Sequence, residues 1–429
     1  MRYLTGDLPG TGGRIKERPE DFRVTEVPLY HPSGAGTHVY LLVEKTGVGS
    51  LEAADAVARA LGRPRHVVGM AGLKDAQSVA RQWMSLEHVD IDKAMHLDLP
   101  GVRVLAVSRH RNKLKVGHLA GNRFEVRIRG CRPGARGAAA RVLEVLQARG
   151  VPDWFDYQRF GRRADNHLLG RDLVLGDYRG FCDRFLGRPV ASDSRRLAEG
   201  RRAYDAGDLE GARRLMTGQT DRLRVLSALI RTGDPERAAR NLPRQLAKLF
   251  IAACQSALFN AVLDRRLDSL DRVEAGDLAY IHPRPGGGPA SLGSAVAGGR
   301  GLPCEARQGG ARGGAVFLVE HPDVEAPRAA RFEISPSGPI VGHRVTLASG
   351  RPGDLERAVL AAERIAPEDF ERVKALRLRG DRRPLRFPLT DAAVAADGDD
   401  LLVSFTLPPG AYATVVLGEI TKSPPTDAP

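Results

Sequence analysis

At 429 residues the chain exceeds what one hydrophobic core usually organises, so two domains, or one inserted into another, are expected. Lysine and arginine number 65 against 52 acidic residues, a formal charge of +13 that favours a polyanion such as RNA or DNA as partner. The four cysteines stand far apart with no Cys-x-x-Cys spacing, which excludes a zinc-finger pattern and a disulfide framework; residues 1–7 lack an apolar signal core, and no run approaches bilayer-crossing length, so a soluble cytoplasmic protein is expected.

From Gly13 to about Gly130 the pattern predicts mostly strands, at 22–27, 38–44, 67–71, 81–88, 102–108, 113–117 and 123–129. Amphipathic helices are predicted at 51–61 and 135–148, giving an α+β layout with helices packed on a mixed, mainly antiparallel sheet. The middle carries helical spacing at 195–216, 235–240 and 246–267, the last with Phe250, Cys254, Ala257, Leu258 and Val262 on one stripe. Residues 283–314 are dense in glycine and read as long loops or a mobile segment. After a helix at 367–376, strand signals return at 385–388, 401–407 and 413–416. A sheet that starts before residue 150 and resumes after 375 implies an inserted domain. Asp397, Asp399 and Asp400 with Gly398 fit a polar hairpin turn better than a metal site.

Basic residues cluster at 109–115, 159–163 and 377–386, and each cluster suits phosphate contacts. The most informative stretch is Met70 to Gln77, where a short apolar strand, a tight turn at Gly72 and a resumed extended segment from Val79 set Asp75 at a strand mouth. Turn propensity alone reads this Asp as a cap or a partner of Lys74.

Separated segments change that reading. They are Ile15 to Glu26; Ala71-Gly72-Leu73-Lys74-Asp75 with Gln82-Trp83; Gly121-Asn122-Arg123-Phe124; Val151 to Gly161; Ser256 to Asn260; and Leu407 to Thr414. Together, and in this order, they resemble the TruD family of pseudouridine synthases, which isomerise a uridine in RNA, in bacterial members within the D-arm of transfer RNA. The resemblance implies a pseudouridine synthase catalytic domain formed by residues 1–150 and 376–423, interrupted by an inserted α/β TRUD domain at 151–375, with a disordered tail at 424–429. The helix 246–267 is expected to pack on the catalytic part.

By this resemblance Asp75 is the catalytic carboxylate and Lys16 its basic neighbour, which favours the ionised form and holds its orientation. The reaction breaks the C1′–N1 bond, turns the uracil and forms C1′–C5; a carboxylate serves by adding to C1′, by stabilising cationic character there, or by removing the 2′ proton. Phe124 matches the ring placed against the target base, Asn122 can address a uracil edge, and Phe22 and Tyr412 match positions near the substrate. Lys74 and Gln82 are expected to brace the catalytic turn, and Gln158, Arg159 and Phe160 to line the domain junction, with Arg159 available for phosphate. The family often has an Arg before the Glu of its last segment; here Gly418 stands before Glu419 instead. The target implied is uridine 13 of a tRNA, with no metal or organic cofactor and no obligate protein partner. The rival readings are a catalytically inactive RNA-binding or RNA-chaperone protein of the same fold, and a metal-dependent nuclease.

Overall fold

The structure is a computed structural model that describes residues 2–282 and 315–423. The Gly-dense stretch 283–314, with Cys304, and the tail 424–429 lie outside the described residues. A 3-10 turn at Pro19–Asp21 leads into β1 (Phe22–Pro28) and β2 (His38–Thr46), followed by α1 (Ser50–Ala60), β3 (Gly69–Met70), β4 (Val79–Glu87), α2 (Ile91–Met95), β5 (Asp98–Leu99), β6 (Val102–His110), β7 (Leu119–Ile128) and α3 (Ala135–Arg149). A helical stretch follows the short β8 (Val151–Pro152): α4 (Asn166–Leu175), α5 (Tyr178–Leu186), α6 (Arg195–Asp205), α7 (Leu209–Leu215), α8 (Thr220–Thr232), α9 (Pro235–Arg240) and α10 (Arg244–Arg266). Then come β9 (Leu278–Ile281), β10 (Val316–Leu318), α11 (Pro322–Ala330), β11 (Ile334–Ile340), α12 (Gly350–Ala362), β12 (Asp381–Pro384), β13 (Arg386–Phe387), β14 (Thr390–Asp397), β15 (Asp400–Leu407) and α13 (Ala413–Thr421).

The main sheet runs β14-β15-β7-β1-β4-β2-β6-β5, with β3 on β4; β1 and β4 are parallel and the other pairs antiparallel. The fold is thus α+β with a mixed sheet. Far apart in sequence, β15 and β7 are neighbours, paired from Leu401↔Ile128 to Leu407↔Asn122. Strand alternation explains the core: Val39, Leu41 and Val43 are fully buried on one face of β2, while Phe22, Val24, Phe124, Val126, Val403 and Phe405 bury the face of β1, β7 and β15 that packs on α3 and α13. The Asp397–Asp400 pair closes the β14–β15 hairpin.

The helical stretch has its own core around Phe181, Phe185 and Phe250. Helix α10 serves both cores, giving Phe250, Cys254 and Leu258 to one and Phe259 and Leu263 to the other, so its apolar surface is wider than the expected stripe. Contrary to expectation, Arg244–Ser269 is long and apolar enough to cross a membrane by length and composition. Its burial in two cores accounts for that character.

Several elements differ from the sequence expectation. Residues 113–117 form a loop whose backbone is held by side chains, with Ser85 Oγ accepting from Leu114 N at 2.9 Å and Tyr40 donating to the Asn112 carbonyl at 3.0 Å. The single helix expected at 195–216 is two, broken where Gly207 takes φ +82° and Asp208 caps the next helix through Gly211 N. Residues 367–376 make a kinked 3-10 segment. The strand expected at 413–416 is the start of α13, since Val416, Leu417 and Ile420 bury at helical spacing and β-branched propensity yields to tertiary packing. Buried Glu419 ties this helix to the N-terminus by accepting from Leu4 N at 2.7 Å and Thr5 N at 3.1 Å, and pairs with Lys422 at 3.0 Å.

The basic run 377–386 is only partly the open phosphate surface expected of it, for Arg377 and Arg379 are exposed but the arginines that follow are not. Arg382 and Arg386 are buried; Arg382 pairs with Glu356 at 2.8 Å, Arg386 donates to the Arg149 carbonyl at 2.7 Å, and Arg383 pairs with Asp153 at 2.7 Å while lying over Phe155. These guanidiniums act as internal struts, each carrying several fixed donors into the interior.

Candidate active site

Asp75 lies in the loop between β3 and β4, and its side chain is 59% exposed. Lys16 Nζ donates to its Oδ2 at 2.9 Å from a side chain only 12% exposed. Two features hold Lys16 there. The strand-like bridge between Arg14 and Arg129 fixes the chain before it, and Asp21 fixes the turn after it by accepting from Arg18 N at 3.0 Å. The Arg129 guanidinium bonds Asp21 at 2.7 and 2.8 Å and holds that carboxyl below its usual range. Lys16 itself sits at φ +59°, in the left-handed region that residues with a Cβ occupy at a cost.

Gly72 contributes less than expected. Its φ is not left-handed, and a Cβ built there meets only Lys74 Nζ, at 3.7 Å. The turn is braced by other groups. Lys45, fully buried, donates to the Asp75 backbone carbonyl and, at 2.7 Å, to the Val48 carbonyl; burial pushes its ammonium down to about 8. Ser78 Oγ donates to the same Asp75 carbonyl at 2.8 Å. Ser50 Oγ accepts from Lys74 N at 2.7 Å and donates to Gln82 Oε1 at 2.6 Å, so buried Gln82 supports the loop through Ser50. Lys74 pairs not with Asp75 but with buried Glu26, at 3.2 Å. Burial raises the Glu26 carboxyl and Lys74 opposes that rise.

Lys45, Ser50 and Glu26 were not among the residues expected at the site. Lys45 had a signal: it continues the inward set Val39, Leu41, Val43, and a lysine at an inward strand position needs a specific acceptor.

Beneath the ion pair runs a line of rings. Lys16 Nζ lies 4.6 Å from the Phe22 ring centroid, Phe22 meets Phe124 edge-on at 5.9 Å, and Phe124 meets Phe405 at 5.5 Å. Phe22 and Phe124 are 4% and 7% exposed, so they form a floor more than an open platform. Asn122 is on the same face of β7 as Phe124, in register with Glu26 and Leu407. Its Oδ1 is buried and has no hydrogen-bond partner. Gly121 makes this approach possible, because a Cβ there would lie 2.5 Å from the Leu407 carbonyl oxygen.

The remaining expected residues sit farther along. Tyr412, half-buried, precedes the first turn of α13, and neither it nor Gln158 hydrogen-bonds Asp75 or Lys16. Gln158 and Arg159 are exposed in the 3-10 turn Tyr157–Phe160. Arg159 Nε donates to Ser256 on α10 at 3.1 Å, and the neighbouring Asp156 accepts from Thr414 at 2.6 Å, which ties this turn both to α10 and to the start of α13. Chemically, the site offers one accessible carboxylate held by an ammonium, an orphaned amide oxygen and an apolar floor.

The chain as a whole is similar to known proteins. The sequence model of a family described as tRNA pseudouridine synthase D (TruD) matches residues 1–420. Proteins named tRNA pseudouridine synthase D from Geobacter metallireducens and Geobacter sulfurreducens are 45% and 43% identical over 423 and 425 residues, spanning 98% and 99% of this chain and 98% and 97% of theirs. A crystal structure of a Methanosarcina mazei protein described as a tRNA pseudouridine synthase D superposes with a TM-score of 0.83 at 23% identity, covering 100% of this chain and 97% of that one, and shows a shared fold.

Proposed function

Because this chain belongs to the TruD family of tRNA pseudouridine synthases, we propose that it isomerises uridine 13 in the D-arm of tRNA, with Asp75 as the catalytic carboxylate and Lys16 as its partner. The single observation that carries the assignment of roles is the 2.9 Å contact between Lys16 Nζ and Asp75 Oδ2 at an exposed carboxylate. An ammonium at that distance favours the charged form and fixes which oxygen remains for the ribose. Oδ2 is occupied by Lys16, so Oδ1 is the oxygen that meets the sugar. Attack at C1′ and removal of the 2′ proton both need that same ionised oxygen.

A target base must leave its stack to reach such a site. In this reading the uracil rests over the Phe22 and Phe124 floor, and its N3–H donates to the orphaned Asn122 Oδ1, which gains the partner it lacks. Fixing the ring by one edge while C1′–N1 is broken lets the base turn and present C5 to the sugar. The C5 proton is then lost and N1 gains one, so the isomerisation balances with no redox change. Tyr412, Gln158 and Arg159 lie where the turn at 157–160 meets α13 and contact the RNA flanking the base. Residues 1–150 with 376–423 form the catalytic part and 151–375 the insertion, and the enzyme works in the cytoplasm with its tRNA.

The test is positional. Unmodified tRNA transcripts incubated with the enzyme should show one new pseudouridine by chemical labelling, at position 13, and a transcript with cytidine there should show none. Labelling elsewhere, with position 13 unmodified, contradicts the assigned target.

A further inference from the structure

Away from Asp75, the helical region forms a half-open cavity of about 370 Å³ between α4, α5, α6, α8, α10 and the segment before α4. Five arginines line it, Arg162, Arg163, Arg184, Arg201 and Arg222, against two carboxylates, Asp165 and Asp221. Three of the five have a carboxylate partner: Arg163 with Asp165, Arg184 with Asp172 and Arg201 with Asp193, each at 3.1 Å. Among the described residues Arg162 and Arg222 have none. Arg201 is fully buried; its Nη1 donates to the Phe185 and Gly187 carbonyls at 3.1 and 2.6 Å, but its Nη2 has no hydrogen-bond partner. Arg222 Nη1 donates to Gln219 at 2.6 Å, its guanidinium lies over the Phe185 ring, and its Nε is likewise unpartnered.

Burying guanidiniums side by side is costly. Burial pushes Arg201 down to about 10, with Arg163 and Arg222 adding like-charge repulsion, and burial and then Arg163 lower Arg222 as well. Internal acceptors hold Arg201, through Asp193 and the Phe185 and Gly187 carbonyls, whereas the side chains that share the space with Arg222 include the apolar Leu169, Phe185 and Phe250. A bound anion would offset the mutual repulsion of these guanidiniums. Arg162 and Arg163 also follow closely on the exposed Arg159 turn, so the mouth adjoins the surface tied to α13.

We propose that this cavity is an oxyanion site that takes a phosphate group, on the guanidinium of Arg222 with Arg162 at its mouth. The site is independent of the chemistry at Asp75. Its phosphate comes either from the RNA backbone or from free phosphate, and the two sources are separable.

The probe is labelled inorganic phosphate in equilibrium dialysis against the full-length protein at constant ionic strength, with tRNA binding measured in parallel by anisotropy. Wild-type protein should bind phosphate saturably, and Arg222→Gln should weaken that binding by roughly tenfold or more, as expected for removal of a charge-assisted donor. Arg162→Gln, at an exposed position that cannot disturb the core, should weaken it in the same direction, so a poorly folded Arg222 variant does not void the test. Asp75→Asn should bind phosphate like wild type, which separates failure of this site from failure of the catalytic reading. If the Arg222 and Arg162 variants also bind tRNA more weakly, the RNA backbone supplies the phosphate; unchanged tRNA binding assigns the site to free phosphate. Absence of saturable phosphate binding, or wild-type binding in both arginine variants, overturns the proposal.

Discussion

Lys16 combines three demands that no local rule satisfies at once. It holds a left-handed backbone, it lies over Phe22, and it bonds Asp75, a contact made between residues 59 positions apart. A strained, specifically held cation beside an exposed carboxylate is the pattern of a preorganised site. Lys16→Met should therefore lower the single-turnover rate by about 10²-fold, the scale of one preorganised electrostatic contact, while leaving KM nearly unchanged. A fall in affinity with the rate intact would make Lys16 an RNA-binding residue instead. From sequence, Asp75 and Lys16 were legible through motif resemblance, but the backbone state of Lys16 was not: lysine has no left-handed preference, and the contacts that flank it, the Arg14–Arg129 bridge and the Asp21 turn, belong to the fold. Gly72 shows the converse, a glycine that suggests a tight turn which the chain makes without a left-handed φ.

At the level of elements, the loop between β3 and β4 is held from below by β2, through Lys45. Its ammonium is pushed from an ordinary 10.5 down to about 8 by burial, so between those values the unfolded chain binds more protons than the folded one. Folding stability attributable to this group must then rise with pH across that window and be at its least favourable below pH 8. Lys45→Met removes the titration, so the stability of wild type minus that of the variant should increase from pH 8 to 10.5 in denaturant melts. A pH-independent difference would show that burial does not lower the Lys45 ammonium. The strands of the sheet were readable from their apolar runs, as in β2, where Val39, Leu41 and Val43 are fully buried and the intervening Tyr40 and Leu42 are apolar as well. Helix α13 was not, because Ala413-Thr414-Val415-Val416 has strand composition and becomes helical through its packing and the Glu419 anchor to Leu4 and Thr5.

On the scale of the whole molecule, the charge of +13 divides into structural and available parts. Arg382, Arg383 and Arg386 are consumed inside the protein, whereas Arg109, Arg111 and Lys115 stand exposed around the β6–β7 loop, with Lys113 half-buried beside them. Composition could not distinguish the two groups, since both read as basic runs; only tertiary pairing separates them. Neutralising these four should flatten the salt dependence of tRNA binding by roughly 0.7 to 0.9 for each phosphate they would otherwise neutralise, and an unchanged slope would remove the loop from the RNA surface. The central claim is that one carboxylate performs the chemistry while the rest of the chain holds the RNA. Its most direct measurement is Asp75→Asn assayed side by side for pseudouridine formation and tRNA affinity. The expected result is no detectable pseudouridine with affinity within a few fold of wild type, and a variant that still forms pseudouridine at the wild-type rate would contradict the account.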